Sequence, residues 1–184
     1  MTRRNVQFRA AGIALAVAAG ALALSSAGGV NAEVIERSAD HFVLRNTTVL
    51  ETTLEDVWTS LGDVGQWWDG AHTYSGDAAN MSLTTEVGGC FCEANVQGAT
   101  FEHGRVVEAD PALGVLLHAA LGPLKGKTTR ADWSFGWSSS GPGIELVMTY
   151  VVRGEGVGAW ADGVDSVMSG QFQRLTRYIE YGEP

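Results

Sequence analysis

The chain has 184 residues, of which 45% are hydrophobic and 18% are charged, with 12 lysines and arginines against 21 aspartates and glutamates. This length and apolar content fit one soluble domain with a sizeable core plus a tail. Because the acidic surplus repels phosphate backbones and anionic headgroups, we predict no nucleic-acid partner.

Residues 1–32 are typical of an export signal, because three arginines precede an Ala/Leu/Gly run over 10–24 and a small-x-small cleavage site at 30–32. The run is shorter than the roughly 20 residues that a spanning helix needs, so we predict no stable membrane insertion of the mature chain. The protein is then periplasmic or secreted, with an uncleaved N-terminal anchor as the alternative. The pair Arg3-Arg4 partly matches a twin-arginine signal, which leaves that route and the general secretory route open.

The mature chain is predicted to consist of a linker over residues 33–39 and a single domain over residues 40–184. The domain begins with segment 42–50, whose strand-forming residues predict a first β-strand. With only two cysteines in the whole chain, a disulfide scaffold is excluded as the source of its stability.

Two short helices are predicted to follow the first strand. Thr53 and Asp56 have the spacing of a capping box, with an acid where Glu or Gln is preferred, and Gly62 can end the helix that begins there. Residues 63–69 indicate a second short helix, and the polar, turn-rich residues 70–80 indicate a loop.

From residue 81 onward the pattern changes to short strands separated by turns. The clearest strand is 129–138, where apolar and polar residues alternate along its whole length. The Gly88-Gly89 pair indicates a hairpin turn, and the short connections favour an antiparallel meander. The predicted strands of this region are 81–87, 90–96, 101–109, 115–121, 129–138 and 144–152.

The last element is a long amphipathic helix over residues 159–180. On a helical wheel its apolar side chains fall within an arc of roughly 140°. This arc holds Trp160, Val164, Val167, Met168, Phe172, Leu175, Tyr178 and Ile179. Since no other predicted helix can cover the sheet, we predict an α+β fold in which about seven curved antiparallel strands wrap around this helix.

Several short motifs lie along the domain in this order of elements. They are Val57-Trp58, Gly65-x-Trp67-Trp68, residues 72–77 (HTYSGD), residues 88–93 (GGCFCE), Asp110-Pro111, residues 121–124 (LGPL) and Gln171-x-x-x-Leu175. With the order of elements, these motifs resemble the SRPBCC (START-like) superfamily, and within it the polyketide-cyclase and heat-shock-ATPase-activator-homologue branch.

The resemblance covers roughly residues 40–181 and implies the helix-grip fold with a deep, mostly apolar ligand cavity. No single catalytic motif accompanies this fold, which serves lipid carriers, hormone receptors, cyclases and co-chaperones. The export signal argues against a co-chaperone role, because the heat-shock ATPase is cytosolic.

The aromatic residues are unusually numerous for one cleft, and they form either ordinary core or the wall of a cavity for a flat or lipid-like ligand. Trp67 and Trp68 cannot both face the cleft, because adjacent residues of a helix point in different directions. Gln171 and Tyr150 have polar atoms on apolar faces, which need either a protein partner or a ligand. The candidate ligand-binding residues are Trp67, Trp68, His72, Tyr74, Glu93, His103, Trp133, Trp137, Tyr150, Trp160, Met168, Gln171 and Phe172.

The candidate acid and base groups are His72, Glu93 and His103. No Ser-His-Asp spacing, nucleophile elbow or paired-carboxylate motif is present, so any catalysis would depend on one positioned acid or base. If His72, Glu93 and Gln171 pointed at one site, an enzyme would be favoured over a binding protein.

The two cysteines, Cys90 and Cys92, lie two residues apart on a predicted strand, at a spacing of about 6.6 Å. Their Cβ atoms would then be too far apart for a disulfide, which needs about 3.8 Å, so we predict no bridge. A symmetric turn over residues 97–100 would place His103 beside both thiols, a grouping able to bind zinc or copper, although a one-residue shift in register destroys it. We predict no metal and no cofactor.

These observations predict an exported, non-catalytic binding protein that holds a hydrophobic small molecule or lipid between the helix 159–180 and the sheet. The alternatives are a polyketide-cyclase-like enzyme, which needs convergent polar groups in the cavity, and a protein-binding module, which needs a broad exposed apolar patch.

Overall fold

The computed structural model describes residues 31–95 and 97–184 of the chain. The three arginines, the apolar run and the first residue of the predicted cleavage site therefore lie outside the described residues. No helix within the described ranges is long and apolar enough to cross a membrane.

The described residues form eight β-strands, two short α-helices and one long α-helix. In chain order these are β1 (Asn31–Ser38), β2 (His41–Leu50), α1 (Leu54–Gly62), α2 (Val64–Trp67), β3 (Met81–Leu83), β4 (Cys90–Ala94), β5 (Thr100–Asp110), β6 (Gly114–His118), β7 (Arg130–Ser140), β8 (Gly143–Arg153) and α3 (Ala161–Tyr181). The strands form one antiparallel sheet in the spatial order β1-β2-β8-β7-β6-β5-β4-β3, and α3 follows the last strand. This is the predicted helix-grip arrangement, a curved sheet with a long C-terminal helix and two short helices between its second and third strands.

The structure has one strand more than the sequence predicts, because residues 33–38 are not a linker but most of β1. This strand lies at the edge of the sheet and pairs only with β2. Its charged residues Glu33, Glu36 and Arg37 hide the apolar alternation of a strand, and charged side chains are common on edge strands because they discourage aggregation. The linker prediction was therefore wrong.

The predicted capping box at the start of α1 is confirmed. The Thr53 side-chain oxygen accepts a hydrogen bond from the Asp56 backbone N–H at 3.1 Å, and the Asp56 carboxylate accepts one from the Thr53 N–H at 3.3 Å. The helix buries Val57 and Leu61 on one face. These caps satisfy backbone donors that would otherwise be unpaired at the helix start.

The long helix α3 is buried along the apolar arc that the wheel predicts, with Val164, Met168, Phe172 and Leu175 all enclosed. It begins at Ala161, because residues 157–160 form a tighter 3₁₀ turn. It ends before Gly182, which has a positive φ of 73° and whose N–H bonds to the Tyr178 carbonyl.

The edge strand β1 is tied to the start of α3. Arg37 pairs with Asp162 at 2.8 Å and donates through Nε to the Gly158 carbonyl at 2.9 Å. Gly158 approaches the backbone of Ser38 so closely that a Cβ atom would collide with its carbonyl oxygen. The strand that the sequence analysis missed thus holds the N-terminal end of α3 in place.

Cys90 and Cys92 form a disulfide, so the prediction of no bridge was wrong. The pairing of β4 with β5 shifts register after Phe91, so that His103 is an extra residue in β5. Such a bulge bends the ladder, and the two cysteine Cα atoms are 5.4 Å apart, a normal disulfide separation. The shift also turns His103 toward Glu93, which removes the grouping of one imidazole and two thiols.

Candidate functional site: a cavity at the start of the last helix

A cavity of about 440 Å³ lies beside the N-terminal half of α3, in the size range of small-molecule sites. Its other walls are the segment 72–74, the turn 121–123 and His103 of β5. The wall is mostly apolar. The lining residues are Trp68, His72, Thr73, Tyr74, His103, Leu121, Gly122, Pro123, Trp160, Gly163, Val164, Val167 and Met168.

The two neighbouring tryptophans point in different directions, as predicted. Trp68 lines the cavity, donates to the His72 carbonyl at 3.2 Å and packs edge-on against Phe91 and Trp133. Trp67 instead donates to the Ser60 carbonyl at 2.9 Å and is enclosed in the core. Because the Trp68 N–H is already bonded, this ring offers the cavity an apolar face.

Glu93 is buried, with 2% of its surface exposed, and holds one wall of the cavity in place. Its carboxylate accepts hydrogen bonds from the backbone N–H groups of Tyr74, at 3.0 Å, and Ser75. Burial by itself would raise the pKa of Glu93, but the hydrogen bonds from Tyr74, Ser75 and His103 outweigh it and lower that pKa. Glu93 is therefore an ionised anchor beneath the segment 72–75.

His103 is bonded through Nε2 to the Glu93 carboxylate at 2.8 Å. Its ring is stacked on Tyr74 at 5.3 Å and flanked by Phe91 and Phe101. Burial lowers the pKa of His103 against the opposing effect of the Glu93 charge. The ring is thus neutral at pH 7, fixed in orientation and part of the cavity wall.

Gln171 and Tyr150, whose polar atoms require either a protein partner or a ligand, both form hydrogen bonds with the protein backbone. Gln171 accepts a hydrogen bond from the Asp69 N–H at 2.9 Å, which holds the chain just before the segment 72–74. The Tyr150 hydroxyl donates to the Ala119 carbonyl at 2.7 Å and accepts from the Leu121 N–H at 3.2 Å. Burial raises the pKa of Tyr150, which stays protonated. Both side chains position walls of the cavity without lining it.

Seven of the thirteen candidate residues lie off the cavity wall: Trp67, Glu93, Trp133, Trp137, Tyr150, Gln171 and Phe172. Trp133 and Phe172 are buried in the core. Trp137 of β7 packs against Trp58 of α1, with ring centroids 5.9 Å apart, and does not line the cavity. The other six, Trp68, His72, Tyr74, His103, Trp160 and Met168, line it.

The convergence that would have favoured an enzyme does not occur. His72 is exposed at the rim, Glu93 turns to His103, and Gln171 turns to Asp69. In the described ranges there is also no group of three or more His, Cys, Asp or Glu side chains placed to hold a metal ion.

The lining residues that the sequence did not single out are Thr73, Leu121, Gly122, Pro123, Gly163, Val164 and Val167. Val164 and Val167 were on the apolar arc but were assigned to the general helix face. Gly163 has no side chain and so leaves no mark on a helical wheel. Leu121 was predicted to end a strand and Gly122 and Pro123 to form the turn after it. In the structure the Leu121 N–H bonds to the Tyr150 hydroxyl, and residues 121–123 line the cavity.

A second hollow of about 460 Å³ lies on the outer side of α3 and shares His72 and Val167 with the cavity. Its wall is more polar than that of the cavity and includes Asp69, Arg174 and Arg177. Arg174 is already bonded to the Trp67 carbonyl at 2.8 Å, so this hollow mainly marks the junction of α3 with the chain that follows α2.

No protein-family model matches the chain, and no curated protein is similar to it in sequence. Solved structures are similar in shape. CalU16 from Micromonospora echinospora is 14% identical, with a TM-score of 0.53 over 84% of this chain and 86% of that one. EF2215 from Enterococcus faecalis, a conserved protein of unknown function, is 9% identical, with a TM-score of 0.59 over 84% of this chain and 79% of that one.

The bacterial protein Aha1 from Colwellia psychrerythraea, solved as a dimer, is 14% identical, with a TM-score of 0.58 over 77% of this chain and 98% of that one. At identities this low the likeness shows the fold alone, and it agrees with an SRPBCC-type helix-grip fold.

Proposed function

We propose that this protein is an exported helix-grip binding protein of the SRPBCC superfamily, in its polyketide-cyclase and heat-shock-ATPase-activator-homologue branch. It holds a hydrophobic small molecule or lipid in the cavity beside the N-terminal half of α3. The observation that carries the proposal is the cavity of about 440 Å³ with its mostly apolar wall. Apolar surface that the fold does not cover is what a hydrophobic ligand would remove from water.

The mouth of the cavity supports this function. Trp160 is 41% exposed and Tyr74 is 59% exposed, although both are large aromatic side chains that packing would normally enclose. Both belong to the cavity wall. Aromatic rings in this position can cover an entering ligand with little loss of conformational freedom.

Two observations support export. Residues 1–32 have the composition of a signal, and the Cys90–Cys92 disulfide fits an oxidising compartment, since disulfides are rare in the cytosol. Cleavage after Ala32 would remove two residues of β1 and leave Glu33 as the new N-terminus. Sequencing the N-terminus of protein recovered from the periplasm or medium tests this, and an intact Met1 there would contradict cleavage.

The experiment that tests the binding site uses two glycines of α3. Gly163 lines the cavity and Gly170 does not, and a Cβ atom at either position would meet nothing within 4 Å. We expect Gly163→Leu and Gly170→Leu each to stabilise the protein by about 0.5–1 kcal/mol, because leucine is the better helix former. Only Gly163→Leu should weaken binding of the neutral apolar dye Nile red, measured by fluorescence titration.

The pair of variants separates stability from binding, since both are expected to fold. If Nile red binds neither the wild type nor Gly170→Leu, the cavity is not a ligand site. Equal binding by all three proteins would place the site elsewhere on the molecule.

One observation favours a second candidate function, that of an enzyme with a single positioned base. A neutral imidazole held by a buried carboxylate has the geometry in which a histidine accepts a proton from a substrate. His103 and Glu93 have this relation, and His103 lines the cavity. A catalysed reaction would show as turnover of a bound compound that His103→Phe abolishes without preventing its binding.

A further inference from the structure

We infer that Nδ1 of His103 is a hydrogen-bond acceptor facing the cavity, and that it selects apolar ligands carrying an uncharged donor such as a hydroxyl group. This inference rests on the proposed function and names the chemistry of the ligand. Three observations carry it: the hydrogen bond at the other ring nitrogen, the packing of the ring, and the scarcity of other polar groups in the wall.

The hydrogen bond to Glu93 fixes which nitrogen carries the proton. The Glu93 carboxylate already accepts from two backbone N–H groups, and it can only accept, so the His103 Nε2 at 2.8 Å must be the donor. In a neutral imidazole the other nitrogen, Nδ1, then carries a lone pair. The lowered pKa of His103 agrees with a neutral ring, for which Glu93 and Lys125 are the charged groups that matter.

The position of the ring makes this lone pair available. Nδ1 makes no hydrogen bond to any residue in the described part of the chain. Nδ1 is nevertheless accessible to solvent, whereas the indole nitrogen of Trp133 is fully buried and has no hydrogen-bond partner. Because only 9% of His103 is exposed and the ring lines the cavity, the open side of Nδ1 is the cavity side. Stacking on Tyr74 at an interplanar angle of 11° holds the acceptor in one direction.

Few other polar groups of the wall can compete for a ligand. The Trp68 N–H is used by the His72 carbonyl, and the Thr73 hydroxyl is held in place by donating to the Gly70 carbonyl at 2.8 Å. The polar atoms of His72 and Tyr74 belong to exposed side chains at the rim, whereas His103 is buried. The nearest full charge behind His103 is the ionised Glu93, which disfavours a carboxylate in the same place. Lys125 bonds to the Glu102 carbonyl and lies over the Phe101 ring at 3.7 Å, so its charge is engaged outside the wall. A neutral donor is therefore the best match.

The test compares three probes of similar size: 2-naphthol, which has a donor; 2-methoxynaphthalene, which has none; and 2-naphthoate, which is anionic. We expect wild-type protein to bind 2-naphthol about 3- to 10-fold more tightly than 2-methoxynaphthalene, as one hydrogen bond allows, and 2-naphthoate most weakly. His103→Phe should remove the preference while still binding 2-methoxynaphthalene. His118→Phe, at an exposed position of β6 away from the cavity wall, is the matched control and should keep it.

A second measurement needs no variant. The ¹⁵N chemical shifts of the wild-type imidazole should show a protonated Nε2 and an unprotonated Nδ1, and only Nδ1 should respond when 2-naphthol is added. A protonated Nδ1, or equal affinities for 2-naphthol and 2-methoxynaphthalene, would overturn the inference and leave the proposed binding function intact. If none of the probes binds, the binding function and this inference fall together.

Discussion

At the scale of single residues, the cavity depends on a buried polar pair whose cost is offset by complete hydrogen bonding. An isolated carboxylate in this position would be strongly destabilising. Glu93 avoids that penalty, because Tyr74, Ser75 and His103 all direct N–H groups at it. The pair therefore links the segment 72–75 to the sheet, and its protonation is coupled to folding.

The pair predicts that the protein is destabilised by acid in two steps. The pKa of His103 is lowered by burial, so the unfolded chain binds this proton first and stability is lost as pH falls below about 6.5. The pKa of Glu93 is lowered by its hydrogen bonds, so a second loss follows as pH falls below about 4.5. Urea unfolding of the wild type should show the free energy of unfolding falling in both windows.

The variants assign the steps to their residues. His103→Phe should flatten the upper window and Glu93→Gln the lower one, although both proteins are expected to be less stable than the wild type at pH 7. If the pH profile of His103→Phe runs parallel to that of the wild type from pH 7 to pH 5, the histidine is not the group that titrates.

Residue types alone could identify Glu93 and His103 as candidates, but not as a pair. Their meeting depends on the extra residue in β5, which shifts the register by one between Phe91 and Cys92. A one-residue shift exchanges the two faces of a strand, and a bulge leaves no reliable trace in composition. The same bulge explains why the disulfide was missed, since the prediction assumed a regular strand.

At the scale of elements, α3 acts as an anchor for the chain that follows α2. Gln171 accepts from the Asp69 N–H at 2.9 Å, and Arg174 donates to the Trp67 carbonyl at 2.8 Å. Both partners are backbone atoms just before the cavity wall at residues 72–74. One face of α3 thus packs in the core, while Gln171 and Arg174 hold the chain after α2 in position.

Gln171→Leu is therefore predicted to destabilise the protein, although it places an apolar residue on an apolar face. The Asp69 N–H would lose its partner, at a cost of about 1–3 kcal/mol in the free energy of unfolding. Gln173→Leu, at an exposed position of the same helix, is the control and should change stability by less than about 0.5 kcal/mol. Urea unfolding measures both. A Gln171→Leu variant at least as stable as the wild type would show that the hydrogen bond contributes nothing.

Elements with strong periodicity were predictable from the sequence. The alternation in β7 and the apolar arc of α3 both arise from burial on one face, and such burial produces a regular spacing of apolar residues in the sequence. β1 was not predictable in this way, because an edge strand with charged residues has little apolar alternation. The turn 121–123 was missed as part of the site for a related reason, since its position depends on a hydrogen bond from a distant strand.

At the scale of the whole molecule, α3 is packed more tightly against the rest of the fold at its C-terminal half than at its N-terminal half. Toward its C-terminal half the helix is sealed against the sheet, with Phe172 and Leu175 at most 1% exposed. Toward its N-terminal half the helix is separated from the segment 72–74 and the turn 121–123 by the cavity. The fold therefore combines a closed core at one end of α3 with a cavity at the other end.

This division predicts that truncating α3 costs less at its open end than at its sealed end. Leu175→Ala should lower the free energy of unfolding by about 2–5 kcal/mol, because it leaves a void in close-packed core. Met168→Ala should cost less than about 2 kcal/mol, because Met168 borders the cavity and one side of its side chain therefore has no packed neighbours.

The same change enlarges the cavity, so Met168→Ala should bind a bulkier apolar probe such as pyrene more tightly than the wild type does. Urea unfolding and fluorescence titration measure the two effects, and an equal cost at both positions, with no gain in affinity for pyrene, would show that α3 is closed core along its whole length.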